Sequence, residues 1–119
     1  MDINEKVRGL LAPHEDNKAL ECDGFTRVAS YLLTENNIEH TVMMGSLTLG
    51  DVMEPHFWIV LFETDHIIDY RARMWFGEHD EVPHGVFLPW QWHDAVYAGT
   101  PVTLMVNKFV YEALTGDFG

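Results

Sequence analysis

The sequence predicts an α+β domain: two N-terminal helices packed on an antiparallel β-sheet, with a last helix at the C-terminus. Three observations carry this. Apolar residues recur at helical spacing ahead of Asn36. Runs of β-branched and aromatic residues then follow one another with short connections, as antiparallel strands do. A capping residue and a glycine bracket a final helical stretch. The chain has 119 residues, the size of one domain, read as residues 1–119 without linker, repeat or low-complexity segment. Its 47% of hydrophobic residues is enough for a core without disulfides.

In chain order, Ile3 to Leu11 reads as a short amphipathic helix, with Asp2 as its cap and Pro13 beyond its end. His14 to Lys18 is a polar loop. Phe25, Val28, Ala29, Leu32 and Leu33 form one helical face, and Asn36-Asn37 stops it. Three residues further back the same stripe reaches Cys22, which places the thiol at the helix N-terminus on the buried side. Ile38 to Leu47 is a strand, Gly45 to Pro55 a loop or irregular edge, and Pro55 to Tyr70 a hairpin. Arg71 to Gly85 is loop, Val86 to Leu88 a short strand, and Pro89 to Pro101 irregular or a single helical turn. Val102 to Val106 suits a buried strand. Asn107 caps a last helix through Leu114, closed by Gly116. Met43, Met44 and Met53 read as core filler, and His40 and His66 as exposed strand-edge residues.

Charge and composition exclude several classes. With 7 basic and 19 acidic residues the net charge is −12, so DNA and anionic membranes are poor partners. A solvated acidic surface or a basic partner fits better. The longest uncharged apolar run, Phe57 to Phe62, is far too short to span a bilayer. The N-terminus places acids before its apolar residues and has no long apolar core, unlike a signal peptide, so a cytoplasmic location is expected. One cysteine allows neither an internal disulfide nor a multi-cysteine zinc site. Glu78-His79-Asp80, His84 and His93-Asp94 are donors that suit zinc or nickel, yet no paired metal-ligand spacing appears. They read as a solvated acidic loop, and no metal or cofactor is expected. Trp75, Trp90 and Trp92 are either core or interface packing, including the interface of a homo-oligomer, or an aromatic wall for a ligand.

The hairpin "PHFWIVLFETDHIIDY" carries an imidazole and a carboxylate in a segment built for burial. Alternate strand residues share a face, so His56, Trp58, Val60 and Phe62 lie together, as do Ile67 and Asp69. A loop centred on Glu63-Thr64 puts Trp58 opposite Asp69; one centred on Thr64-Asp65 puts Val60 there. Either even-length loop brings Asp69 to the face of His56, whereas an odd one separates them. On a shared face Asp69 accepts a hydrogen bond from one ring nitrogen of His56 and fixes its tautomer. The other nitrogen then faces the helix that begins at Cys22. A helix N-terminus and a neighbouring imidazolium both favour a thiolate, and the same backbone N–H groups can receive an oxyanion. The chemistry expected is attack by Cys22 on a carbonyl, with His56 moving the proton and Asp69 orienting it.

The stretch "ECDGFTRVASYLLTENNIEHTVMMG…PHFWIVL…HIIDY", from Glu21 to Tyr70, resembles the core of the transglutaminase-like branch of the papain-like superfamily. In that branch a Cys opens a helix, a His heads a strand and an Asp closes the next strand. The resemblance implies a papain-like fold with Cys22 as nucleophile, His56 as base and Asp69 as orienting acid. Arylamine acetyltransferases and bacterial cysteine peptidases are similar in this core. Asn17 is the candidate for the side-chain oxyanion donor that such enzymes take from an upstream Gln. Trp58, Trp90 and Trp92 are candidate substrate-binding residues. The expected function is peptidase, amidase or transglutaminase-type acyl transfer on a peptide, protein or small amide, with hydrolysis favoured because water needs no second binding site. The alternative is a non-catalytic acidic protein of the same fold that covers a basic or nucleic-acid-binding partner.

Overall fold

A computed structural model describes residues 2–116. Helix α1 (Ile3–Leu11) starts where Asp2 accepts a hydrogen bond from the Glu5 N–H at 2.8 Å. A 3₁₀ turn over Ala12–His14 follows, because Pro13 continues the chain as a turn at its own fixed φ. Helix α2 (Cys22–Glu35) ends at Asn36, and Asn37 takes a left-handed φ of 57° to leave it. Five antiparallel strands follow: β1 (His40–Leu49), β2 (Val52–Leu61), β3 (Ile67–Asp69), β4 (Gly85–Phe87) and β5 (Ala95–Val102). A short helix α3 (Ala72–Phe76) interrupts the segment read as loop, and α4 (Lys108–Thr115) closes the chain. Asn107 caps α4 through the Val110 N–H, and Gly116 ends it with φ 73°. The strand order is β4-β3-β2-β1-β5. The α+β class with helices ahead of an antiparallel sheet is therefore what the chain adopts.

Four sequence expectations are corrected. The stretch from Gly45 to Pro55 is no loop: β1 runs on to Leu49, turns at Gly50-Asp51 and returns as β2, with Leu49 paired to Val52. Gly50, at φ 62°, supplies the positive φ that a two-residue hairpin loop requires at its first position. The last strand lies at 95–102 and not at 102–106. The segment from Pro89 to Pro101, expected to be irregular or a helical turn, holds most of it: β5 is an edge strand, where proline is tolerated because its missing N–H faces outward. Met44 and Met53 are 45% and 66% exposed on an open patch of sheet, so they are not core filler; only Met43 packs partly inward. His40 and His66 are half-buried rather than exposed, held by Ser30 and Asn4.

The two sheet faces have different covers. On one face α1 and α2 bring Val7, Leu11, Phe25, Val28, Ala29 and Leu33 against Val42, Ile59, Leu61 and Ile68. On the other, the chain between β3 and β5 covers Trp58, Ile67 and Phe87 at one place and Leu47 with Ala72 and Val82 at another. Gly99 lies opposite Gly45 in the β1–β5 ladder. A Cβ on Gly99 would run into the Met44 carbonyl and come within 2.8 Å of the Trp58 ring. Gly99→Ala is therefore expected to destabilise the protein by about 1–3 kcal/mol, the range for an overpacked core, read as a lower urea midpoint. An unchanged midpoint would show that Trp58 moves freely.

Candidate active site

The hairpin register decides whether His56 and Asp69 meet. Ile59 pairs with Ile68 and Val60 with Ile67. The Leu61 N–H bonds the His66 carbonyl at 2.9 Å, leaving Phe62 to Asp65 as a four-residue loop with Asp65 at φ 61°. The loop is longer than two residues but even in count. Continuing this register places Asp69 opposite Trp58, on the face of His56. The imidazole Nε2 lies 2.7 Å from Asp69 Oδ2, with both side chains buried.

The other nitrogen, Nδ1, is buried without a well-aligned hydrogen-bond partner, and its neighbour is the Cys22 thiol. Cys22 is the first residue of α2, on the helix whose apolar stripe covers the opposite sheet face. The β2–β3 ladder stops at Ile59–Ile68, and Cys22 in the first turn of α2 is close enough to act on the His56 ring by charge and hydrogen bond. Burial alone would lower the proton affinity of His56. The charge and hydrogen bond of Asp69, then those of Cys22, outweigh it and raise its pKa to about 9. The imidazole is thus protonated at neutral pH. No side chain caps the first turn of α2, where Glu21 stands at the N-cap, so no side chain competes for its leading N–H groups.

Two residues complete the constellation that the sequence did not point to. The Tyr97 hydroxyl on β5 donates to Asp69 Oδ2 at 2.7 Å, the same oxygen that His56 uses. Burial and Asp69 together push the Tyr97 pKa far up, so it remains a neutral donor. The other carboxylate oxygen, Oδ1, accepts the Arg71 backbone N–H at 3.0 Å. The Arg71 side chain is 6% exposed and directs its five N–H bonds to the carbonyls of Leu20, Glu15, Tyr70, His14 and Asn17. Its guanidinium also lies 4.4 Å from the centre of the Phe25 ring. It ties the loop ahead of Cys22 to the end of β3. A tyrosine in a segment read as irregular gave no sequence signal; Arg71, adjacent enough to Asp69 to pair with it, meets the carboxylate through its backbone N–H and not through its guanidinium.

The remaining expected site residues are dispersed. Trp58 is 3% exposed and stacks beside the imidazole, with ring centres 6.3 Å apart. Asn17 sits in the loop before α2, where its Oδ1 accepts the Ala19 N–H at 3.1 Å. Trp92 packs edge-on against Phe87, and its indole N–H bonds the Asp80 carbonyl. Trp90 is 70% exposed on a 3₁₀ turn, and Trp75 is 43% exposed. His84 pairs with Glu15 at 2.9 Å and His93 with Asp94 at 3.5 Å, and no group of three metal-binding side chains occurs among the described residues. Cys22 itself is 9% exposed, in a crevice with Phe25, Phe57 and Asp69 that is too narrow to admit water.

No protein-family model matches the chain, and neither a curated protein nor a solved structure matches it. Among the described residues no helix is long and apolar enough to cross a membrane.

Proposed function

We propose that the chain is a thiol enzyme of acyl chemistry on a transglutaminase-like, papain-like core, working in the cytoplasm on a peptide, protein or small amide. The observation that carries this reading is the position of His56, with one ring nitrogen on the Asp69 carboxylate and the other turned to the Cys22 thiol. With His56 already protonated, Cys22 attacks the substrate carbonyl as the thiolate of the pair. The carbonyl oxygen becomes an oxyanion in reach of the first N–H groups of α2. His56 gives a proton to the departing amine, leaving a thioester on Cys22. Water, or an amine in the transfer reaction, then attacks the thioester while His56 takes its proton, and the Cys22 thiolate leaves beside the restored imidazolium. Asp69, steadied by Tyr97 and by the Arg71 N–H, keeps the imidazole in one tautomer throughout.

Iodoacetamide alkylation tests the reading on the chain's one cysteine, Cys22. Between about pH 5 and 8, wild type is expected to react faster than His56→Ala, about tenfold or more, with a different pH profile. Superimposable profiles would overturn the proposal.

A second reading has one observation in its favour: the thiol is nearly buried in a protein of net charge −12. In this reading the fold is a non-catalytic acidic protein that covers a basic or nucleic-acid-binding partner. Its function would survive Cys22→Ala and fail with substitutions around Trp90 and Trp92.

A further inference from the structure

The helices cover only one end of the sheet face they pack on. Val42, Ile59 and Val102 form one row across β1, β2 and β5, in the core that α2 closes. Three more rows follow on the same face, from Met44 with Phe57 and Thr100 to Thr48 with Met53 and Val96. Alternate strand residues share a face, so these side chains all point the way Val42 does. They stay open: Val96 is 55% exposed, beside the exposed Met44 and Met53. The reverse face of the same strands is covered, Leu47 by Ala72 and Val82. None of the side chains in the three open rows is charged, in a chain of which 22% is charged. An open, largely apolar face of this kind marks an interaction surface.

The position of the thiol indicates the occupant. Phe57 belongs to the first open row and also to the crevice that holds Cys22. Helix α2 begins at Cys22, so the helical cover ends where the thiol stands, and the open face starts there. The three rows extend about 14 Å along the strands and about 10 Å across them. Four extended residues span about 13 Å. A peptide with its carbonyl at Cys22 can therefore lay the residues ahead of that carbonyl along the open rows. A second copy of the chain is the poorer occupant, because two molecules of net charge −12 repel each other.

We infer that this face binds an apolar, uncharged peptide segment of the substrate, the segment that carries the carbonyl attacked by Cys22. The inference rests on the acyl chemistry proposed above and names the substrate class of that site. The segment stays joined to Cys22 as the thioester, so the face holds it through both half-reactions.

The test compares the p-nitrophenyl esters of acetyl-trileucyl-glycine and acetyl-triseryl-glycine, which share the reacting glycine carbonyl. The Cys22 thiolate forms the thioester as the ester C–O bond breaks, and the released nitrophenolate is followed by absorbance. The kcat/KM of the leucyl ester is expected to exceed that of the seryl ester about tenfold or more. In the Met53→Glu, Val96→Glu variant the preference is expected to vanish. Both positions are exposed and lie in the row farthest from the thiol, so the seryl ester rate and Cys22 alkylation by iodoacetamide should be unchanged. Equal rates for the two esters, or a preference that persists in the variant, overturn the inference and leave the triad standing. A wild-type dimer in light scattering that becomes a monomer in the variant assigns the face to a second copy and also overturns it. No Cys22-dependent release from either ester overturns the acyl reading itself, and the inference with it.

Discussion

Arg71→Ala is expected to destabilise the protein by about 3–5 kcal/mol, the range for breaking a buried, fully bonded charged group. The physical reason is the set of carbonyls it leaves behind. Those of His14, Glu15, Asn17, Leu20 and Tyr70 all point at one guanidinium, and alanine would leave them facing one another. Lysine retains the charge but offers three donors with no planar fork, so Arg71→Lys should recover only part of the loss. Urea unfolding followed by tryptophan fluorescence measures it, as a fall in midpoint at unchanged slope. A loss below about 1 kcal/mol would show that the loop ahead of Cys22 folds without its clamp.

The second large effect is a dependence of stability on pH. Folded His56 holds its proton to about 9, against 6.5 for an ordinary imidazole. Folding therefore binds a proton across that window. The stabilisation is fully present below about pH 6.5, declines as pH rises, and is gone above the folded value. At about 1.4 kcal/mol per pH unit, the loss across the window is on the order of 3 kcal/mol. Urea midpoints from about pH 6 to 9.5 should fall in wild type and stay nearly level in His56→Gln. A wild-type midpoint that is flat or rises over that range would mean the imidazole is neutral in the folded protein.

Local signals in the sequence were sufficient for α1, α2 and α4, though not for the short α3. Asp2, Asn107 and Gly116 cap as their side chains and backbone freedom dictate, and the stripe from Phe25 to Leu33 lies against the sheet. The meeting of His56 with Asp69 followed from strand periodicity once the loop count was even; that count was the one quantity the residues left open. Two strand boundaries were misread: the stretch from Gly45 to Pro55 was taken as loop or irregular edge, and that from Pro89 to Pro101 as irregular or a helical turn. Gly45 and Gly99 are there because two backbones approach closely, and Pro101 is there because nothing pairs beyond it. These reasons are tertiary, and local reading has no access to them. Tyr97 was invisible on the same ground, as was the hold of the Arg71 guanidinium on the loop before α2: each acts across many residues of chain.

The narrow crevice around Cys22 also bears on how long the protein survives in air. An oxidant must touch sulfur to carry it from thiol to sulfenic acid and on to the irreversible acids. With 9% exposure and a crevice that holds no water, the sulfur meets peroxide less often than a surface thiol does. Having no second cysteine to form a rescuing disulfide, the chain has that partial closure as the brake on oxidation of its thiol.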